Sequence, residues 1–316
     1  MTIFASLALF WLTLFNPPAV LDDGMQSAPP LPEISPAIDM PIRDTSVCLG
    51  GDGFYYLTGT TGHPTWWTTN DGLRVWRSKD LQSWEPLGLV WNFEDDATWQ
   101  KPFDSAGRRA IWAPEIHYLK STYWIAYSMN YPGGGTGLLK STTGKPEGPY
   151  EDVHPDGPIT SGIDASLFED DDGQVYYVWQ EGRIAKMNEA MTDLEGPTML
   201  LAPSNFQHVG FEGAFVFKAN NQYHLVCAEF IGHGDDQRYH CVVASSDNLL
   251  GPYGERYIAI PHGGHNMVFE DKDGNLRATF FGNDPGAPFR ERAAILKVEF
   301  DESGKLRPVT GEADTE

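Results

Sequence analysis

Five segments of this chain repeat one pattern, in which a polar or aromatic residue stands 11 or 12 positions ahead of an aromatic, strand-like stretch. Asp44 leads into GGDGFYYLTGT, Trp112 into KSTYWIAYS, Asp164 into EDDDGQVYYVWQ, Glu212 into ANNQYHLVCAE and His265 into EDKDGNLRATFF. Counted back from Tyr55, Tyr123, Tyr176, Tyr223 and Leu276, the leading residues lie 11, 11, 12, 11 and 11 positions upstream. Each unit reads as strand, tight turn, strand. Gly, Asp, Asn or Ser fills the turn, and aromatic and β-branched residues follow it, which is the sequence signature of a hairpin. A further strand running into a Pro/Gly turn follows four of the hairpins, at residues 77–88, 140–150, 186–197 and 244–253.

Repeats of about 50 residues built from strands, with no stretch of sustained helical period, point to a propeller of four-stranded blades rather than a helical solenoid. The expected fold is all-β, a five-bladed β-propeller over residues 41–310. In such a ring the innermost strand of every blade borders the axial channel. Asp44, Trp112, Asp164, Glu212 and His265 are therefore expected to converge there. Composition agrees: 33 glycines, 23 prolines and 13% aromatic residues suit many short strands, and 41% hydrophobic residues can build a sizeable core.

The chain carries 22 basic against 44 acidic residues, a formal charge of −22, which excludes nucleic acid and anionic membrane as natural partners. Ile3 to Phe15 is an almost unbroken apolar run, too short to span a bilayer and suited to a signal peptide. Residues 1–20 are expected to be that leader and 21–40 a linker, giving a secreted or periplasmic monomer with no membrane insertion after processing. Cys227 and Cys241 lie symmetrically about Gly234, in the middle of a hairpin loop, so they are read either as a bridge across two strands or as small buried hydrophobes.

Paired carboxylates are the usual equipment for hydrolysing a glycosidic bond, one as acid toward the leaving oxygen and the other as base or nucleophile. A third carboxylate nearby disfavours ionisation of its neighbour and so keeps an acid protonated near neutral pH. The trio Asp44, Asp164 and Glu212 fits this chemistry.

The segments IRDTSV at 42–47, WAPEI at 112–116, IDASLFEDDDG at 163–173, FEGAFVFK at 211–218 and GGHN at 263–266 resemble, in order, the motifs of glycoside hydrolase family 43. The resemblance covers about residues 38–300 and implies a five-bladed propeller that hydrolyses plant or algal oligosaccharides or polysaccharides with inversion. It makes Asp44 the general base, Glu212 the general acid and Asp164 the residue that tunes and orients Glu212. Thr45 and Ala214 stand where the family commonly has proline. Trp112 resembles the aromatic wall around the cleaved sugar, and Trp66 and Trp67 are candidates for a loop wall at the channel mouth. Arg290 resembles a sugar-contacting arginine of some members. His265 matches a histidine near the axis that in several members contacts calcium, so it is a candidate both for substrate binding and for holding a structural calcium in the central channel, although the reaction requires no cofactor. The usual substrates are α-L-arabinofuranosides, β-D-xylosides and β-galactosides. The alternative is a carbohydrate-binding propeller that no longer turns over.

Overall fold

In a computed structural model, which describes residues 27–130 and 134–310, the hairpins assemble into five sequential four-stranded antiparallel sheets. The first holds β1 (Arg43–Leu49), β2 (Tyr55–Thr60), β3 (Gly72–Ser78) and β4 (Glu85–Asn92). The second holds β5 (Ile111–Leu119), β6 (Thr122–Met129), β7 (Thr136–Ser141) and β8 (Tyr150–Asp152). The third holds β9 (Ala165–Glu169), β10 (Val175–Trp179), β11 (Arg183–Met187) and β12 (Leu194–Leu200). The fourth holds β13 (Glu212–Ala219), β14 (Gln222–Ile231), β15 (Arg238–Ser246) and β16 (Tyr257–Ile260). The fifth holds β17 (Val268–Glu270), β18 (Leu276–Phe281), β19 (Ala293–Phe300) and β20 (Leu306–Pro308). Among the described residues the single helical element is the 3₁₀ turn Gly234–Asp236.

Among the described residues the main core is divided into five slabs, one between each pair of neighbouring blades, with two small clusters around Trp112 and Tyr239 besides. Tyr56, Leu73 and Val75 of the first blade meet Ile116, Ile125 and Tyr127 of the second, and Trp124 and Leu138 meet Leu167 and Tyr177 across the next seam. This explains why the middle strands alternate only partly. In β10 the side chains of Tyr176 and Tyr177 point to opposite faces, yet both are buried, one against the fourth blade and the other against the second. A strand covered on both faces reads as a continuous hydrophobic run. The outermost β12 is exposed along most of its length and carries Pro197, which an edge strand tolerates.

The ring closes without a shared strand. Instead, the segment before β1 lies across the seam: the Ala37 N–H donates to the Ala293 carbonyl at 2.7 Å and the Ile42 N–H to that of Glu291 at 2.8 Å. Leu31 and Ile34 pack on the core between the fourth and fifth blades, while Ile38 and Met40 join the core between the fifth and the first. The described part of the expected linker is therefore a strap on the propeller, held by apolar residues among its prolines. The expected leader, residues 1–20, lies outside the described residues.

The cysteine bridge is not formed. Cys227 pairs with Val242 and Cys241 with Ala228, so the hairpin is centred half a residue beyond Gly234 and the two side chains leave opposite faces of the sheet. Both are free, buried thiols in different core slabs.

Candidate active site

The innermost strands share a backbone device that sequence counting misplaced by one residue in two blades. Arg43 pairs with Thr60 and Ser46 with Thr58, Trp112 with Ser128 and Glu115 with Ala126, and Glu212 with Ala228 and Phe215 with Val226. In each case the inner strand spends one residue more than its partner, which is a β-bulge. The residue after the first of each pair adopts a left-handed conformation: Asp44 (φ 50), Ala113 (φ 43) and Gly213 (φ 65). Asp164 and His265, both at φ 57, do the same just ahead of β9 and β17. The structural equivalents are thus Asp44, Ala113, Asp164, Gly213 and His265. Trp112 and Glu212 instead correspond to Arg43. The miscount arises at the hairpin turns, because blades two and four use the two-residue left-handed turns Lys120–Ser121 and Asn220–Asn221, whereas the others use longer loops.

The kinks bring two carboxylates to one imidazole. Nδ1 of His265 lies 3.6 Å from Oδ1 of Asp44 and 3.7 Å from Oδ2 of Asp164. The same Asp164 oxygen accepts the Gly213 N–H at 3.0 Å and so grips the peptide next to Glu212. Glycine is needed at 213 for its positive φ and for space, since a Cβ there would lie 2.9 Å from Cγ of His265. Asp44 is held by Thr60, whose hydroxyl accepts the Ala113 N–H at 2.7 Å and is therefore left to donate to Oδ2 of Asp44 at 2.8 Å. Tyr239 donates its hydroxyl to Oε1 of Glu212 at 2.7 Å, and its own N–H is fixed on Oδ2 of Asp284 at 2.8 Å. Tyr239 fits because Gly264 has no side chain: a Cβ there would fall 2.8 Å from the phenol ring.

Withdrawal from water, reinforced by the charge of Asp164 and opposed by the Tyr239 hydroxyl, pushes the Glu212 carboxyl up to about 8. The residue keeps some exposure to solvent, which leaves it a route for protons. Burial raises Asp164 to about 6, against the pull of His265. For His265 burial acts downward, but Asp164, Asp44, Glu115 and Glu212 outweigh it and hold the imidazole above its usual value. The site can therefore keep the Glu212 carboxyl protonated beside the more acidic Asp164.

Beside the carboxylates stands an aromatic cluster. Trp112 is 8% exposed and donates its indole N–H to the Trp66 carbonyl at 3.1 Å. Trp66 stacks on Trp67 at 3.9 Å, and the Arg43 guanidinium packs 4.1 Å from Trp66 and 4.9 Å from Phe281. Arg43 also binds Asn283 at 3.0 Å and Glu291 at 3.1 Å, joining the first blade to the loop between β18 and β19. Arg290 is in that loop but is exposed, and among the described residues no hydrogen bond or ion pair ties it to the carboxylates. The arginine that the structure places beside Asp44 is Arg43. Neither Arg43 nor Tyr239 was found by sequence reasoning. Adjacency to the motif aspartate was the one available signal for Arg43, and Tyr239 had none.

As a metal ligand, His265 offers a buried Nε2 without a hydrogen-bond partner, whereas the buried Oε2 of Glu115 already lies 3.3 Å from Nε2 of His117. Calcium takes six to eight oxygen ligands. Among the described residues no group of three or more His, Cys, Asp and Glu side chains is arranged to hold a metal ion. A calcium ion here would take most of its ligands from water.

A sequence model described as glycosyl hydrolases family 43 matches residues 35–306. The chain is 29% identical over 262 residues to a β-D-galactofuranosidase of Aspergillus niger, covering 73% of this chain and 72% of the fungal one. It is 28% identical to xylosidase/arabinosidase 43B of Humicola insolens over 78% of its own length but only 48% of that protein. An extracellular exo-α-(1→5)-L-arabinofuranosidase of Cellvibrio japonicus is 25% identical, over 60% of this chain and 62% of that one. Among solved structures, an endo-arabinase of Bacteroides thetaiotaomicron superposes with a TM-score of 0.67 at 22% identity, covering 85% of this chain and 98% of the other, a likeness of fold.

Proposed function

The chain belongs to family 43 of the glycosyl hydrolases, and on that premise we propose that it hydrolyses glycosidic bonds in plant or algal saccharides with inversion at the anomeric carbon. The observation that carries this reading is the grouping of Asp44 and Asp164 on one imidazole, with the raised carboxyl of Glu212 held by the peptide contact of its neighbour. A protein that only bound sugar would have no use for an acid kept neutral by burial beside a second carboxyl group.

In the proposed reaction Glu212 is the general acid. Because Tyr239 donates to Oε1, the acidic proton resides on Oε2, from which it passes to the leaving oxygen as the glycosidic C–O bond breaks. Asp44, oriented by Thr60, takes a proton from the water whose oxygen attacks the anomeric carbon from the opposite face. Asp164 positions the backbone after Glu212 and raises its proton affinity. The turnover leaves Asp44 protonated and Glu212 ionised, and exchange with solvent resets both. Such a single displacement needs room for the water, with carboxyl groups about 6.5–9.5 Å apart. No step requires a metal; a channel calcium ion would be held by Nε2 of His265 and water.

The substrates we propose are α-L-arabinofuranosides, β-D-xylosides and β-galactosides, in line with the names of the fungal relatives. The apolar leader and the extracellular bacterial relative support a secreted or periplasmic location. The test is a screen of purified protein on the three aryl glycosides and on natural oligosaccharides, with Glu212→Gln as control. Product formed by the wild type and abolished by the substitution supports the assignment. No product from any substrate would leave the binding alternative, and full turnover by Glu212→Gln would remove the acid.

A further inference from the structure

Trp67 is 54% exposed, although both its neighbours in the aromatic cluster, Trp66 and Trp112, are buried. Large apolar side chains left in water singly are ordinary. A rigidly mounted one at the mouth of a sugar site is not.

The mounting can be read from the ring geometry. Trp66 covers one face of Trp67, at 3.9 Å between centroids and 27° between planes. Trp112 lies 5.1 Å from Trp67 at 80°, and 6.4 Å from Trp66. These three distances put a right angle at Trp67, so Trp112 stands beside the edge of the ring and not over its second face. The Arg43 guanidinium, 4.1 Å from Trp66 and 5.8 Å from Trp67, is on the Trp66 side as well. Among the described residues no aromatic ring or cation lies over the second face of Trp67, and the 54% exposure of the residue leaves that face to solvent.

The backbone carrying this ring is fixed from three directions. Asn130 donates to the Trp67 carbonyl at 2.9 Å and Trp112 to the Trp66 carbonyl at 3.1 Å, while the Thr68 N–H closes a turn on the Thr65 carbonyl at 2.8 Å. A ring held in this way loses little conformational entropy when a ligand covers it. Its loop leaves β2 at Thr60, the residue that orients Asp44, so Trp67 stands at the end of the channel where the carboxylates lie. Asp44 and Asp164, at 8% and 5% exposure, form the floor of the site, and Trp67 belongs to its mouth.

Resting on the proposed glycosidase reaction, we infer that the free face of Trp67 is the platform for a second, uncleaved sugar ring of an oligosaccharide substrate. The apolar C–H face of a neutral pyranose or furanose matches an open indole. The charge of −22 favours a neutral sugar over an acidic one. Trp67 thereby selects chains over single glycosides and takes no part in the chemistry.

The experiment compares Trp67→Ala and Trp67→Phe with the parent in two ways. In the active enzyme, the ratio of kcat/KM for a tetrasaccharide to that for the matching aryl glycoside should fall about 2- to 12-fold for alanine, the equivalent of about 0.5–1.5 kcal/mol for an aromatic contact. Phenylalanine should retain most of the ratio. In a Glu212→Gln background, calorimetry with arabino-, xylo- and galactotetraose should show a weakening of the same size for the tetrasaccharide that binds. An unchanged ratio, equal affinities with and without the indole, or no tetrasaccharide binding by either protein overturns the inference. If nothing is hydrolysed but binding is still lost with the indole, the platform stands and the hydrolytic proposal falls.

Discussion

Replacing Tyr239 by phenylalanine removes one oxygen from the site and leaves the ring, its packing and the backbone contact to Asp284 in place. The hydroxyl donates to Oε1 of Glu212 at 2.7 Å, so it stabilises both forms of that carboxyl, but unequally. A hydrogen bond to a neutral acceptor contributes about 0.5–1.5 kcal/mol and one to an ionised acceptor about 1.5–3 kcal/mol. The difference, about 1–1.5 kcal/mol, corresponds to about one pKa unit in favour of the ionised form. Without the hydroxyl, Glu212 should therefore hold its proton longer. The basic limb of kcat, which in the parent enzyme should fall as pH rises through about 8, should move up by about one unit. The assay is kcat against pH at saturating aryl glycoside, from about pH 5 to about pH 10, for parent, Tyr239→Phe and Glu212→Gln. A limb that stays in place or moves down in Tyr239→Phe would refute the assignment of Glu212 as the acid fixed by Tyr239, whatever happens to the absolute rate.

Other outcomes follow from the same geometry. Glu212→Gln should lower kcat by about 10²–10⁴ on glycosides with poor leaving groups and by much less on nitrophenyl glycosides, whose departure needs no proton; equal losses would contradict an acid role. Because the folded-state pKa of Glu212 is raised from 4.5 to about 8, its contribution to stability is full below the lower value and lost as pH passes the upper one. The melting temperature of Glu212→Gln relative to the parent should accordingly climb across that window, and a flat difference would count against the shift. Reducing agent should leave Tm unchanged, since Cys227 and Cys241 are free thiols in separate slabs; a drop would reveal a bridge. Truncation before residue 41 should cost on the order of 3 kcal/mol or more in urea unfolding relative to truncation before residue 27, because it strips Leu31, Ile34, Ile38 and Met40 from their cores. Equal stabilities would mean that the strap contributes nothing.

The fold was legible because a propeller is written locally. A hairpin needs its turn residues and its aromatic strands within about twenty positions, and five copies announce the ring. The one-residue error came from what composition does not record. Asn220–Asn221 turns in two residues where the segment after Asp170 takes a longer loop, and the bulge at Gly213 adds a residue without marking itself. Asp44, Asp164, Glu212 and His265 were visible as repeated heads of repeated hairpins, and the structure groups them. Arg43 and Tyr239 were not, because their importance lies in partners remote in sequence. Arg43 meets Asn283 and Glu291 across the whole length of the ring, and Tyr239 reaches Glu212 from a strand two removed. Arg290 matched a motif loosely, and the loop carrying it turns the side chain to solvent.

The strap that closes the ring also decides where the molecule comes apart. Blades one and five are joined by side chains and a few backbone contacts, with no strand of one woven into the sheet of the other, so this seam has the least covalent insurance of the five. Asp44 sits on one side of it and His265 on the other, spanned by 3.6 Å. On gradual heating the seam should part while the five sheets still stand. Hydrolytic activity should then vanish at a lower temperature than β-sheet circular dichroism, so that the enzyme fails first as a machine and only later as a fold.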